Sequence, residues 1–133
     1  MELEDQDRRL LRILQARGRI SNQDLAEAAA MSSSACWRRV RALEQAGVIR
    51  HYAAIAEPEA LGLTFHAIVH VQLTRHEEDA VERFVTAIRQ RTEVLGCYAT
   101  TGEADYHLRV LCADMDAYNA FLEGFLFRLP AVA

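Results

Sequence analysis

Residues 21–45 constrain the fold of this chain most, because they contain two helical patterns separated by only a few residues. The first pattern starts at Ser21 and places Leu25 and Ala28 on its inward side, and the second starts at Ser32. Serine is a favoured helix N-cap, because its side chain accepts a hydrogen bond from a backbone N–H of the first turn. Two helices joined by so short a turn match the helix-turn-helix pattern.

Another helix is predicted before this pair and a strand after it. In EDQDRRLLRILQARGRI the leucines recur at helical spacing, and Gly18 can end the helix. Gly47 stops the second helix of the pair, and VIRHYAAI, at residues 48–55, is predicted to be a strand. The first 51 residues are therefore expected to form three helices and a short strand.

The helix that follows Ser32 has a polar face suited to DNA. Cys36, Val40 and Leu43 form its apolar stripe, which predicts burial. Small residues and free N–H groups at a helix start allow close approach to phosphates and base edges, and the arginine fork fits phosphate or the guanine edge. The predicted DNA-binding residues are Ser32, Ser33, Ser34, Trp37, Arg38 and Arg41.

Other interpretations of this helix stay open. Its polar residues also suit an ordinary solvated surface, and Trp37 can equally pack against the preceding helix. Arg39 borders the apolar stripe, and Glu27 and Glu44 are its candidate partners.

Composition identifies a globular chain whose two halves differ in charge. Residues 1–51 hold nine arginines and seven acids, whereas residues 52–133 hold six arginines and twelve acids. This asymmetry favours a polyanionic partner for the first half. Hydrophobic residues make up 51% and charged residues 26%, which excludes a disordered chain. Without an apolar run of membrane-spanning length or a signal-peptide pattern, a soluble cytoplasmic protein is expected. The three cysteines are widely spaced, which indicates reduced thiols.

The second half combines strands with amphipathic helices. FHAIVHVQL alternates apolar and polar residues, and VLGCYAT and YHLRVLC are two further strand candidates. The residues predicted to face inward are Val81, Phe84, Val85 and Ile88 in EEDAVERFVTAIRQR, and Tyr118, Phe121, Leu122 and Phe125 in DMDAYNAFLEGFLFRL. Helices on one face of a small sheet leave the other face bare, with Ile68 and Leu111 beside histidines and Arg109. Such a face predicts association, usually as a two-fold dimer.

The turn TTGEADY is the candidate ligand site. Gly102 permits a positive φ angle and close backbone approach. Backbone N–H groups in such a turn can hold a carboxylate, and Asp105 can accept hydrogen bonds from an α-ammonium group. The predicted effector-binding residues are Thr101, Gly102, Glu103 and Asp105. A plain hairpin turn is the alternative explanation.

The histidines do not predict a metal site. His66 and His70 share a strand face, but at about 3.3 Å per residue they lie roughly 13 Å apart. Two ligands at about 2.1 Å from one zinc ion cannot be so distant. His107 can approach only one of them, so no metal site and no cofactor are predicted.

Motifs along the chain resemble the Lrp/AsnC (feast–famine) family of transcription regulators. They are GRISNQDLA, CWRRVRALEQAGVI, EPEALGL and LGCYATTGEADYHLRVLCADMDAYNAFL, so the resemblance spans nearly the whole chain. It implies an α+β protein: a winged helix-turn-helix at 1–51, a linker strand and connection at 52–64, and a ferredoxin-like βαββα(β) effector-binding and oligomerisation domain at 65–133. It also implies a sequence-specific regulator that binds double-stranded DNA as a homodimer, often assembled into octamers, and senses an amino acid.

Three features depart from the family pattern. Ala30 stands in the turn where the family usually has glycine, and a left-handed backbone there costs alanine about 1 kcal/mol. Ser33 stands where a proline commonly follows the N-cap, which removes some preorganisation. The family normally continues through a final strand after LPAVA, so an unpaired sheet edge is expected here.

Two other functions stay open. Some haem-biosynthesis decarboxylases that act on sirohaem are similar in architecture, and His66, His107 and Arg109 would then serve as proton donor and carboxylate anchor. No nucleophile and base at recognisable spacing support an enzyme. The other alternative is an interaction partner that blocks longer relatives by mixed dimerisation.

Overall fold

The computed structural model describes residues 1–74 and 79–133, which divide into two compact units, Met1–Ile55 and Ala56–Ala133. The boundary falls inside the predicted linker at 52–64. Each unit has a hydrophobic core of its own. No helix in the described ranges is long and apolar enough to cross a membrane.

The first unit consists of three helices, α1 (Asp5–Ala16), α2 (Asn22–Ala28) and α3 (Ser33–Gln45). Leu10 of α1, Leu25 of α2 and Cys36 of α3 are buried together at its centre. Both predicted N-caps are confirmed. Ser21 Oγ accepts a hydrogen bond from the Asp24 N–H at 3.1 Å, and Ser32 Oγ accepts one from the Ala35 N–H at 3.2 Å.

The turn between α2 and α3 has a left-handed residue, as predicted for Ala30, whose φ is 56°. The Ala30 N–H donates to the Glu27 carbonyl at 3.1 Å and the Met31 N–H donates to the Ala26 carbonyl at 2.8 Å. These two bonds form a Schellman motif, in which the left-handed position normally belongs to glycine. The helix α3 also ends with a left-handed residue, Gly47 at φ 76°, whose N–H donates to the Glu44 carbonyl at 3.1 Å.

The strand predicted at residues 48–55 is absent, so that prediction is wrong for this chain. A strand needs a neighbouring strand to pair its backbone groups, and the first unit, described in full, contains no strand to pair with it. Tyr52 instead lies against α3, where its hydroxyl donates to the Glu44 carboxylate at 3.5 Å. The predicted linker at 52–64 likewise contains a 3₁₀ turn, Glu59–Leu61, and no strand.

The second unit contains β1 (Phe65–Val71), α4 (Ala80–Arg89), β2 (Val94–Ala99), β3 (Tyr106–Cys112), α5 (Met115–Gly124) and a 3₁₀ turn (Leu126–Arg128). The strands form an antiparallel sheet in the order β1-β3-β2. Phe84 and Ile88 of α4 and Phe121 of α5 pack with Leu108 and Val110 of β3. The two helices therefore cover one face of the sheet, and the predicted α+β fold is confirmed.

Three details of the helices differ from the prediction. Ala28 of α2, expected to face inward, is exposed. Val81 is 42% exposed, because the buried stripe of α4 runs through Ala80, Phe84 and Ile88, and Val81 lies about 100° around the helix from Ala80. The helix α5 stops at Gly124, since Phe125 leaves helical geometry with φ −134°. The first two residues of the helix predicted from position 77, Glu77 and Glu78, lie outside the described residues.

The unpaired edge predicted for the sheet is paired at one end. Val132 lies opposite Leu73 in an antiparallel bridge just beyond β1. The Thr74 N–H donates to the Ala131 carbonyl at 2.8 Å, and the Ala133 N–H donates to the Gln72 carbonyl at 3.0 Å. Residues 131–133 thus supply the hydrogen bonds that a fourth strand would provide there.

Candidate functional site

The residues predicted to bind DNA all lie exposed at the N-cap or on the outer side of α3. They are Ser32, Ser33, Ser34, Trp37, Arg38 and Arg41. On the opposite side of the same helix Cys36 and Leu43 are completely buried. Burial of one stripe therefore fixes which face of α3 meets solvent.

Arg39 is turned away from this exposed face. Its Nε donates to Asp7 Oδ1 at 2.8 Å and its Nη2 to Asp7 Oδ2 at 2.5 Å. Asp7 is fully buried in α1 and also accepts a hydrogen bond from the Glu4 N–H at 2.9 Å. The predicted partners of Arg39, Glu27 and Glu44, are therefore wrong.

The Asp7–Arg39 pair is a charged connection between α1 and α3. The hydrogen bond from Arg39 lowers the pKa of Asp7 against the opposing effect of burial, and the same bond raises the pKa of Arg39. Both groups remain charged, and a bidentate contact fixes the rotation of α3 better than a single bond. The sequence signal was Asp7 itself, which stands three residues before Leu10 on the buried side of α1.

Trp37 lies partly in solvent and partly in a groove between the helices. Its side chain is 56% exposed, and the Arg41 guanidinium lies 5.7 Å from its ring centroid. Trp37 also lines a groove between the helices together with Leu25 and Val40. A second contact fixes the helix pair, since Asn22 Nδ2 donates to the Ser33 carbonyl at 2.9 Å.

The predicted effector turn is held by hydrogen bonds to the segment that follows β1. Thr101, Gly102 and Glu103 are exposed, and Gly102 has φ 118°. Asp105 is half-buried, and its Oδ2 accepts a hydrogen bond from the Leu73 N–H at 2.8 Å. The Glu103 carbonyl accepts one from Gln72 Nε2 at 2.6 Å.

The sheet face away from the helices carries polar and apolar side chains together. Ile68 is 59% exposed and His66 accepts a hydrogen bond at Nε2 from Arg109 Nε at 3.1 Å. Tyr98 of β2, which was not predicted for this face, is also exposed. Leu111 was predicted to be exposed on this face, but its side chain is buried. Its N–H donates to the Glu93 carbonyl at 2.9 Å. Among the described residues, no group of three or more His, Cys, Asp or Glu side chains is arranged to hold a metal ion.

Comparison with known families matches both units. The model for a winged helix-turn-helix DNA-binding domain matches residues 3–50, and the model for the Lrp/AsnC ligand binding domain matches residues 66–133. The chain belongs to the Lrp/AsnC family. The leucine-responsive regulatory protein of Escherichia coli K12 is 37% identical to this Lrp/AsnC chain over 131 residues, covering 98% of the chain and 80% of that protein. The DNA-binding transcriptional activator DecR of the same organism is 36% identical over 127 residues, covering 96% and 84%.

Solved structures of similar proteins agree with this assignment. A transcriptional regulator from Neisseria meningitidis in complex with L-Met superposes with a TM-score of 0.93 and 39% identity, over 99% of this chain and 85% of that one. An AsnC family regulator from Agrobacterium tumefaciens gives 0.90 and 31%, over 98% and 87%. A feast or famine regulatory protein from M. tuberculosis complexed with L-methionine gives 0.87 and 35%, over 99% and 88%.

These relatives are transcription regulators and not enzymes. The Lrp/AsnC chain is accordingly a DNA-binding transcription regulator, which confirms the leading prediction from the sequence. The sirohaem decarboxylase alternative is rejected.

Proposed function

We propose that this Lrp/AsnC chain is a cytoplasmic regulator that binds duplex DNA through the exposed start of α3, pairs as a homodimer and responds to an amino acid. The observation that supports the DNA contact most is that the arginines of α3 have different environments. Arg38 and Arg41 point to solvent, whereas Arg39 is committed to buried Asp7. The Asp7–Arg39 contact thereby fixes which side of α3 faces solvent.

The proposed DNA contacts follow from this face. Ser33 and Ser34 are small and lie where the first N–H groups of α3 are free, which suits close approach to a phosphate. Arg38 and Arg41 supply planar donor forks for phosphate or guanine. Trp37 holds the Arg41 guanidinium near its ring, which reduces the conformational freedom that binding would remove.

The proposed homodimer uses the bare sheet face. Ile68 and Tyr98 expose apolar surface there beside His66 and Arg109. A two-fold axis would bury both copies of this face and present two α3 helices to half-sites about 34–36 Å apart, or a multiple of that spacing. Assembly into octamers remains a prediction from the family.

The proposed effector site is the turn formed by Thr101, Gly102, Glu103 and Asp105. Two similar regulators were solved with L-methionine, which supports an amino acid as the ligand class. In this chain the Asp105 carboxylate already accepts a hydrogen bond from the Leu73 N–H. An α-ammonium group would share that carboxylate, so ligand binding would be coupled to the end of β1.

Salt-dependent binding tests the DNA contact. Fluorescence anisotropy with promoter DNA should show affinity falling steeply as salt rises, because each neutralised phosphate releases counterions. Arg38→Ala and Arg41→Ala should weaken binding and each lower the salt slope by about 1 if the residue contacts a phosphate. Arg12→Ala is the matched control, since Arg12 is exposed on α1. Absence of binding at low salt, or equal effects of all three changes, would contradict the proposal.

Light scattering and an amino-acid panel test the other two parts. The wild type should be dimeric, and Ile68→Glu should shift it towards monomer because a charge would be buried at the interface. Calorimetric titration starting with L-methionine should detect binding that Asp105→Asn removes, while Asp116→Asn, a change at an exposed residue of α5, preserves it. A monomeric wild type contradicts the homodimer, and a flat response to every amino acid contradicts the effector site.

A further inference from the structure

Two histidines on the bare sheet face lie side by side. His70 of β1 and His107 of β3 are direct partners in the antiparallel register. Their ring centroids are 4.2 Å apart, with the ring planes at 63° to each other. In the single chain His70 is exposed and His107 is half-buried, on the face that the proposed homodimer would cover.

Hydrogen bonds fix which nitrogen of His107 carries its proton. Thr100 Oγ1 donates its only hydrogen to the Ala104 carbonyl at 3.0 Å. The same hydroxyl lies 2.9 Å from His107 Nδ1, and with its hydrogen on Ala104 it accepts there, which assigns the ring proton to Nδ1. In the neutral ring Nε2 then carries the lone pair, which is the state of a metal-ligating histidine oriented by an outer hydrogen bond.

The third histidine of this face provides the contrast. His66 Nε2 accepts a hydrogen bond from Arg109 Nε at 3.1 Å, so its lone pair is already engaged by a cationic side chain. The register also places His66 opposite Leu111 and not opposite another histidine. His66 is therefore a matched residue on the same strand that lacks the features of the pair.

We propose that His70 and His107 bind a divalent transition-metal ion, such as Zn²⁺, Ni²⁺ or Cu²⁺, for which imidazole is a preferred ligand. Two imidazoles on one tetrahedral ion have centroids roughly 5 Å apart, given a metal–nitrogen distance of about 2.0–2.1 Å. The observed separation is 4.2 Å, so the exposed His70 ring would have to turn away from His107 to bring one nitrogen of each ring onto the ion. The other coordination positions go to water, or to the same pair of a second copy where two such faces meet.

The test uses Ni²⁺ and Zn²⁺ as probes in calorimetric titrations. The triple variant His51→Ala, His66→Ala, His76→Ala leaves only the His70–His107 pair of the five histidines. It should bind the metal saturably, and adding His70→Ala or His107→Ala should abolish that binding. Circular dichroism spectra that match the wild type establish that the variants fold.

A second variant tests the role of Thr100. Thr100→Val removes the hydroxyl that orients the His107 ring and should weaken metal binding by about 10–100-fold. Thr86→Val, a change at an exposed residue of α4, should leave the affinity unchanged. The proposal is overturned if the triple variant binds neither metal, or if its binding survives the loss of His70 or His107.

Discussion

Ala30 and Gly47 occupy equivalent left-handed positions after α2 and α3, so exchanging their residue types measures backbone strain twice in one unit. A left-handed conformation costs an alanine about 1–2 kcal/mol. Glycine relieves this strain but gains about 0.4–1 kcal/mol of freedom in the unfolded chain. The net expectation is that Ala30→Gly raises the free energy of unfolding by about 0.5–1 kcal/mol.

The reverse change, Gly47→Ala, should lower the free energy of unfolding by a similar amount. A Cβ atom at Gly47 would meet no heavy atom within 4 Å, so its cost is conformational and not steric. Ala30 is exposed, so removing its methyl group forfeits little buried surface. The two variants therefore isolate the same backbone term with opposite sign.

Urea unfolding followed by tryptophan fluorescence is the suitable assay. Trp37 is the only tryptophan and lies in α3, so its signal reports the first unit specifically. With a slope of about 1 kcal/mol per molar urea for so small a unit, the midpoint should move by about 0.5–1 M in each direction. The reasoning is refuted if Ala30→Gly destabilises the unit, or if both variants shift the midpoint in the same direction.

Three further outcomes are expected. Because the pKa of Asp7 is lowered in the folded state, the Asp7–Arg39 pair stabilises fully above the ordinary value of 3.8, and this stability is lost as the pH falls through the lower folded value. Asp7→Asn should be less stable at neutral pH and show a flatter acid unfolding curve, and a curve parallel to the wild type would count against the pair. Leu43→Ala should lower the free energy of unfolding by about 3 kcal/mol, since Leu43 is fully buried, and a loss below about 1 kcal/mol in urea titrations would be inconsistent with that burial. Acrylamide should quench Trp37 less in the DNA complex than in the free protein, and unchanged quenching would place Trp37 away from the interface.

Helix positions in the first unit could be predicted from the sequence because their signals are local. Ser21 and Ser32 cap their helices through bonds to residues three positions away. The left-handed turn at Ala30 is likewise set by bonds within five residues. Such short-range chemistry is visible in a single sequence.

Partners that come from distant parts of the chain could not be predicted in the same way. Asp7 and Arg39 are 32 positions apart, and nearer acids were plausible on helical spacing alone. The strand expected at 48–55 failed for a related reason, because apolar alternation does not reveal whether a pairing strand is available. In the turn at 101–105 the sequence identified Asp105 but not its bond to Leu73, also 32 positions away.

The bond between Asp7 and Arg39 has a practical consequence for retargeting this regulator to new operators. Positions 33, 34, 37, 38 and 41 are exposed, so a combinatorial library can randomise them with little risk to folding. Position 39 lies in the middle of that set but must stay arginine. Replacing Arg39 would leave the buried Asp7 carboxylate without its partner, and the contact that orients α3 would be lost. A library that varies 38–41 as one block would therefore also destabilise the first unit, whereas one that skips 39 would vary only the proposed DNA-contacting residues.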